Sequence, residues 1–333
     1  MTSLLDPTIL FFLLGVFAGT LRSNLEIPPQ ITRFLSLYLL MALGLKGGFA
    51  LARSGLTNEV VVSLACAVLL ALAVPTIGYL MLRRVVATFD AAAIAATYGS
   101  VSAVTFITAT QYLETRGLPF GGHMAAAMAL MESPAIILAM LAVNALRRRA
   151  AGTNVVVSGG ALVATPSFAG APLGHIVREA LTDGAQLLLL GSMAVGLLSG
   201  DAGKAAMQPF SGDLFKGMLS FFLLDMGLLT AKNFGTLKGR PAALVGYALA
   251  APPLHAALAL ALAAVAGMSA GNGALLAVLA ASASYIAVPA VLRHAVPEAS
   301  PSVYFGMSLG ITFPFNILIG IPLYVGAAQA LLR

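Results

Sequence analysis

Ten stretches of this chain are apolar and long enough to cross a lipid bilayer, and no other feature restricts its possible folds so strongly. A transmembrane helix needs about 20 predominantly apolar residues. Charged residues make up 9% of the chain, whereas soluble domains carry about 25%. The sequence therefore predicts an all-α integral membrane protein with ten transmembrane helices, at 7–22, 34–52, 59–82, 91–112, 122–146, 179–199, 212–231, 240–267, 273–293 and 301–331.

The second half of the chain repeats the first about 180 residues later. Each half contains five of the apolar segments, so the second half must lie inverted in the bilayer, as in many secondary transporters. We predict a first five-helix repeat over 1–146, a linker over 147–178 and a second repeat over 179–333, with a transporter as the leading function. The matched positions are Leu14-Gly15 with Leu190-Gly191, Gly44-Leu45 with Gly227-Leu228, Pro75 with Pro253, Ser100 and Ser102 with Ser282 and Ser284, and Pro134 with Pro314.

The basic residues predict how the chain is oriented in the membrane. Of the 18 Lys and Arg residues, 12 fall on one side when the loops are assigned alternately, and the richer side faces the cytoplasm. We therefore expect a multi-pass protein of the inner (plasma) membrane with both termini outside and the linker inside. The linker is expected to be a flexible tether, or alternatively a docking site for a cytoplasmic regulatory protein. The basic residues are scattered singly, so nucleic-acid binding is not expected.

Segments 4 and 9 concentrate hydroxyl groups where the middle of the bilayer would fall. Gly99 weakens the first of these helices and Pro289 removes a backbone donor from the second, so both could be interrupted near their serines. A broken helix exposes N–H groups at its positive end, which suits a small oxyanion. Close packing of small residues between helices is the alternative interpretation. The predicted substrate-binding residues are Gly99, Ser100, Ser102, Thr105, Ser282, Ser284 and Tyr285.

Several polar residues at membrane depth are candidates for coupling transport to a cation. Ionisable groups there usually face a cavity or a partner. Glu132 precedes Pro134 within segment 5, and either ion coupling or a structural ion pair would explain it. Asp225 could pair with Lys46 if segments 2 and 7 meet, or could take part in coupling. The coupling candidates are Glu132, Asn316, Asp225 and Thr312.

The sequence lacks the patterns that would indicate an enzyme or a metalloprotein. Its single cysteine, Cys66, lies in an apolar run, so no disulfide framework is expected. The four histidines show no metal-ligand spacing, and no catalytic motif or phosphate loop is present. We expect no cofactor and no metal other than a coupling sodium ion. The first segment has no basic residue before it, so we expect a mature helix rather than a cleaved signal peptide.

Several short motifs give the chain a resemblance to the sodium-dependent bicarbonate transporter (permease) family. The resemblance covers nearly the whole chain, and the order and spacing of the motifs together make it specific. It is carried by Leu43–Gly48, Gly99–Ser102, Tyr112–Glu114, Met131–Ala135, Ala281–Ser284, Pro297, Pro301-Ser302, Thr312, Pro314 and Ile321–Leu323.

The resemblance implies two inverted five-helix repeats and sodium-driven import of bicarbonate, with the anion held where segments 4 and 9 cross. It also implies an elevator-type movement, in which helices 3–5 and 8–10 form a core that moves against a scaffold of helices 1, 2, 6 and 7, and a homo-oligomer such as a trimer. Tyr285 stands where the family pattern has an acidic residue, which leaves another small anion or another cation open. A cation-coupled symporter of a small organic anion, on a fold related to the bile-acid symporters, is the main alternative.

Overall fold

The computed structural model describes residues 5–55, 57–152, 184–235 and 241–332, and over these ranges the chain is built from helices. We number them α1 to α12 in chain order. They are α1 (Pro7–Thr20), α2 (Pro29–Ser54), α3 (Asn58–Leu82), α4 (Thr88–Gly99), α5 (Ala103–Thr115), α6 (Met124–Gly152), α7 (Gly184–Met207), α8 (Phe215–Asn233), α9 (Ala242–Val265), α10 (Ala270–Ala281), α11 (Ala287–Ala295) and α12 (Pro301–Leu331).

Seven helical stretches among the described residues are long and apolar enough to cross a membrane, and α1 and α10 are shorter apolar helices. The chain is therefore a multi-pass membrane protein, as the sequence predicts. One of the seven stretches runs from Gly184 to Asn233, and a straight helix of 50 residues would be about 75 Å long. It is broken at Gly200, where φ is 55° and ψ is −142°, and a π-helical turn at Gln208–Asp213 separates α7 from α8.

Helix contacts divide the molecule into two groups. In the first group α1 packs along α8 and α2 packs along α7. Glycines allow these close approaches: a Cβ atom on Gly15 would lie 2.1 Å from the carbonyl oxygen of Leu224, and one on Gly44 would lie 2.4 Å from that of Leu189. Small residues at such crossings let backbones pack closely in membranes.

The second group contains the interrupted helices. In it α3 packs against α4 and α6, while α9 and α12 pack against α10. Contacts between the two groups are much less extensive than contacts within them. The polar segments are buried inside the second group: every residue of α4 from Ala91 to Gly99 is buried, and so is all of α10 after its first residue.

The boundary between the predicted first repeat and the predicted linker falls within α6. α6 continues to Gly152, so the first residues of the predicted 147–178 linker are helical, and Arg147 forms an ion pair with Glu298. The rest of the predicted linker lies outside the described residues.

Candidate functional site

The two interrupted helices meet at their breaks, as the sequence predicts. α4 ends at Gly99 and α5 begins at Ala103, while Ser282–Ile286 separate α10 from α11. The Ser102 N–H donates to the Ser282 hydroxyl at 2.9 Å, and the Ser284 N–H donates to the Thr97 carbonyl at 2.8 Å. These two bonds join the breaks to each other, so segments 4 and 9 cross at the repeated serines.

One serine of each break caps the half-helix that follows it. The Ser102 hydroxyl accepts from the Thr105 N–H at 3.2 Å and from the Thr105 hydroxyl at 3.0 Å. The Ser284 hydroxyl accepts from the Val288 N–H at 3.3 Å. The first N–H groups of any α-helix have no partner within it, and its N-terminus carries roughly half a positive charge. Two positive helix ends therefore begin at the same crossing.

A cavity of about 320 Å³ opens beside the crossing. This volume is at the small end of the range for ligand sites, roughly 300–1,000 Å³. The first residues of α5 and α11 line one wall, and α2, α6 and α7 supply the others. The polar lining residues are Ser36, Ser102, Glu132, Gln186, Ser284 and Tyr285.

Tyr285 places a buried hydroxyl in this cavity wall. Its side chain is 5% exposed, and its hydroxyl has no hydrogen-bond partner among the described residues, although the Ser102 side chain lies close to it. The ring packs edge-on against Phe313, with 5.1 Å between the ring centroids. A buried hydroxyl without a partner is costly.

The other predicted substrate residues support the crossing from behind rather than lining the cavity. Gly99 packs against the ring of Pro75, and a Cβ atom there would lie 2.4 Å from it. Thr105 and Ser282 are engaged in the bonds described above, and the Ser100 hydroxyl is buried without a hydrogen-bond partner among the described residues. The structure thus places Ser102, Ser284 and Tyr285 at the cavity and the rest in the layer behind it.

Glu132 also lines the cavity. Its carboxylate accepts a hydrogen bond from the Gln186 side chain at 3.2 Å. It is the only acidic residue that the described part of the chain contributes to the cavity wall, and this part contains no cluster of His, Cys, Asp and Glu suited to a metal ion. A single carboxylate near an anion site would repel the anion unless a cation or a proton neutralised it.

The remaining coupling candidates lie elsewhere. Asp225 accepts a hydrogen bond from the Thr32 hydroxyl, and Lys46 pairs with Glu114 at 3.0 Å. The hypothesis that Asp225 pairs with Lys46 is therefore wrong, because each side chain meets a nearer polar group on another helix.

Asn316 and Thr312 use their polar atoms within the helix bundle. The Asn316 amide donates to the Ala281 carbonyl at 2.8 Å and accepts from the Tyr324 hydroxyl at 3.0 Å. The Thr312 hydroxyl donates to the Ala248 carbonyl at 2.8 Å. Both residues thus hold α12 against its neighbours, and neither lines the cavity.

Two polar residues of the cavity were missed in the sequence. Ser36 and Gln186 lie on α2 and α7, next to the crossing but far from it in the chain. The sequence did contain one signal, since Gln186 is an amide residue at the start of a strongly apolar segment. The structure buries this side chain. Its proximity to Glu132 depends on helix packing, which no local pattern encodes.

Comparison with known families gives one match. The family description "Na+-dependent bicarbonate transporter superfamily" matches residues 7–329 of the chain. No curated protein matches it.

Proposed function

The chain belongs to the Na+-dependent bicarbonate transporter superfamily, and on that premise we propose that it imports bicarbonate by sodium symport. The observation that carries the proposal is the crossing itself, where two serine-capped half-helices begin at one small cavity. Membership favours a transporter over an enzyme. The crossing supplies what a small oxyanion needs, namely oriented N–H groups, hydroxyl donors and two positive helix ends.

In the proposed site, bicarbonate binds between the N-termini of α5 and α11. The Ser102 and Ser284 hydroxyls accept from the helices that they cap, and each retains its own proton to donate to an anion oxygen. Tyr285 supplies a further donor. Hydrogen bonds to a charged group contribute about 1.5–3 kcal/mol each.

We further propose that Glu132 couples anion binding to the cation. An anion at the crossing and an ionised Glu132 in the same cavity repel each other. A sodium ion bound between or beside them would attract both, and would therefore strengthen anion binding and stabilise the ionised carboxylate. Because linkage is reciprocal, the anion would raise sodium affinity by the same factor. Tyr285 contributes no charge where the family pattern has an acidic residue, which leaves Glu132 as the carboxylate of this cavity.

Two equivalent hydrogen bonds support the inverted repeat. The third residue of α4, Asp90, accepts from the Ser300 N–H at 2.7 Å. The third residue of α10, Asn272, accepts from the Gly121 N–H at 2.7 Å. Each bond therefore runs between the repeats: the first turn of the interrupted helix of one repeat accepts from the start of the last helix of the other, at the ends that would face opposite sides of the membrane.

Ion pairs support the alternation of loops between two sides that ten crossings require. Asp6 pairs with Lys216 and Arg53 pairs with Asp201, and all four residues belong to the predicted outer side. Arg147 and Glu298 pair on the predicted inner side. Ten crossings result when α7 and α8 cross separately and α1 and the α10–α11 pair each cross once.

The two packing groups support an elevator movement. The first group, α1, α2, α7 and α8, corresponds to the scaffold, and the second group to the core. The cavity lies where they meet, between α2 and α7 on one side and the crossing with α6 on the other. Movement of the core against the scaffold would carry the crossing across the bilayer, and the sparse contacts between the groups suit such sliding.

A small organic anion is the alternative substrate, on a mechanism that is otherwise the same. The observation that favours it is the apolar part of the cavity wall, which includes Leu40, Met128, Ile136, Leu189 and Ile286. Bicarbonate has no apolar part to place against these side chains, whereas a short-chain carboxylate has.

Uptake of labelled bicarbonate into proteoliposomes, with and without an inward sodium gradient at fixed pH and membrane potential, tests the proposal. Sodium-stimulated uptake is expected, and competition by acetate or propionate would identify the alternative substrate. Ser102→Ala and Ser284→Ala should each raise the apparent KM for bicarbonate roughly 10- to 100-fold, since each removes a hydrogen bond to a charge.

Ser63→Ala is the matched control, because the Ser63 hydroxyl is equally buried but lies on α3 away from the cavity and has no hydrogen-bond partner among the described residues. Its KM should equal that of the wild type. An unchanged KM in both cavity-serine variants would overturn the assignment of the site.

A further inference from the structure

Two further cavities lie on the opposite side of the crossing. The first, of about 270 Å³, is enclosed by α2, α5 and the start of α6, with Leu43, Phe106, Thr110 and Met124 in its wall. The second, of about 740 Å³, lies where α2, α5 and α7 end. Both cavities have Lys46 and Glu114 in their walls. We call them the middle cavity and the outer cavity, and the cavity beside the crossing the binding cavity.

The three cavities follow one another along the same helices. On α2 the binding cavity is lined by Leu40, the middle cavity by Leu43 and the outer cavity by Lys46, which follow one another at steps of about 4.5 Å along the helix axis. On α6, which runs the other way, Met128 lines the binding cavity and Met124 the middle one. The cavities therefore form a line at the boundary between the two packing groups.

Lys46 and Glu114 stand at the boundary between the middle and outer cavities. The Lys46 Nζ lies 3.0 Å and 3.1 Å from the two Glu114 carboxylate oxygens and 4.1 Å from the centroid of the Phe215 ring. The two side chains are 25% and 36% exposed. The pair joins α2 of the first packing group to α5 of the second, across the surface on which an elevator would slide.

Two glycines in the wall of the middle cavity bring the two packing groups into contact beside the ion pair. A Cβ atom on Gly122 would lie 2.1 Å from the Gly47 carbonyl oxygen, so the backbone of α2 touches the loop before α6. Lys46 and Gly47 belong to the motif Leu43–Gly48, and Glu114 ends the motif Tyr112–Glu114. The binding cavity uses neither motif.

We propose that the three cavities are segments of one permeation pathway and that the Lys46–Glu114 pair is its outer gate. This proposal rests on the proposed function, because it takes the two packing groups as scaffold and core. In the conformation described here the pair stands between the middle cavity and the outer one, since both residues line both cavities. Opening the pathway to the outside requires Glu114 to leave Lys46, so the pair stabilises the outwardly closed state.

Thiol labelling from outside tests the gate without any substrate. In a Cys66→Ala background, Thr110→Cys places one reporter in the wall of the middle cavity, and a membrane-impermeant methanethiosulfonate is added to the outside of intact cells. Labelling should be slow with the native pair. Glu114→Gln and Lys46→Gln should each accelerate it roughly three- to tenfold, because removing a partly exposed ion pair shifts the closed population by that order.

The charge swap Lys46→Glu with Glu114→Lys should return labelling toward the slow rate. Asp201→Asn is the matched control: it removes the ion pair with Arg53 at the same end of α2, but that pair joins α2 to α7 within one packing group. It should leave labelling unchanged. Equal rates in the native and Glu114→Gln proteins, or equal acceleration by Asp201→Asn, would overturn the gate. Failure of bicarbonate uptake would not affect this test, since labelling is measured without bicarbonate and sodium.

Discussion

Replacing Glu132 by glutamine should remove the dependence of bicarbonate affinity on sodium. Glu132 and the two cavity serines line one cavity of about 320 Å³, and a sphere of that volume is about 8.5 Å across. A bound anion would thus lie within about 8 Å of the carboxylate. Two like charges at that distance repel by about 2 kcal/mol when the effective dielectric constant is about 20.

That repulsion sets the expected size of the coupling. A free energy of 2 kcal/mol corresponds to about a 30-fold change in affinity, so saturating sodium should lower the wild-type KM for bicarbonate by about that factor. In the Glu132→Gln variant the carboxylate is absent and the amide has nearly the same shape. Its KM without sodium should therefore approach the wild-type value with sodium, and adding sodium should change it less than threefold.

The assay is initial-rate uptake of labelled bicarbonate into proteoliposomes, with choline replacing sodium on both sides in one arm. Glu26→Gln serves as the matched control, because Glu26 is exposed and lies in the loop before α2; it should retain the wild-type response to sodium. If Glu132→Gln transports bicarbonate with the full wild-type response to sodium, the coupling role of Glu132 is refuted.

Three further variants test individual contacts. Gly99→Ala should destabilise the protein by about 1–3 kcal/mol, since its new methyl group would meet the Pro75 ring. Asn316→Ala should lower stability by a similar amount by removing the bond to Ala281, while the response of transport to sodium stays unchanged. Burial lowers the pKa of His123 although Glu59 opposes the shift, so the folded protein disfavours the protonated form. Stability should therefore fall as the pH drops below about 6.5, and the His123→Gln variant should lose that dependence.

Thermal unfolding can be followed with a thiol-reactive dye, because the single cysteine, Cys66, is buried and becomes reactive when the protein unfolds. Gly246→Ala is the control for Gly99, since a Cβ atom there meets no other atom within 4 Å. A wild-type melting temperature for Gly99→Ala would contradict the packing argument. If the Asn316→Ala variant responds differently to sodium, Asn316 is a cation ligand after all. If the His123→Gln variant keeps the wild-type dependence of stability on pH, a group other than His123 causes that dependence.

The meeting of the two helix breaks could be predicted because its determinants are local in the sequence and occur twice. A Ser-x-Ser motif flanked by residues that weaken a helix marks each break. Pro289 follows the second break, in the first turn of α11; a backbone N–H in the first turn has no partner within the helix, so its absence in proline costs no hydrogen bond there. Because the motif recurs at the equivalent position of each half, the two breaks were predicted to meet. The hydrogen bonds of the Ser102 and Ser284 N–H groups across the breaks confirm that they do.

Other features depend on how helices rotate and pack, and local sequence does not specify this. Asp225 and Lys46 are suited to each other in charge, yet Thr32 and Glu114 lie nearer to them. Asn316 has the chemistry of a cation ligand, but backbone and tyrosine groups within the bundle occupy its amide. Gln186 reaches Glu132 from a helix in the other half of the chain. In each case the residue type was informative and the partner was decided by tertiary packing.

The most direct test of the account is equilibrium binding of labelled bicarbonate to the purified protein, in sodium and in choline, for the wild type and for the Ser102→Ala/Ser284→Ala double variant. We expect the wild type to bind about 30-fold more tightly in sodium. The double variant should lose most binding in both salts while remaining folded, with a lower melting temperature because two helix caps are lost. Undiminished binding by a folded double variant would contradict the central claim that the crossing of the two half-helices holds the anion.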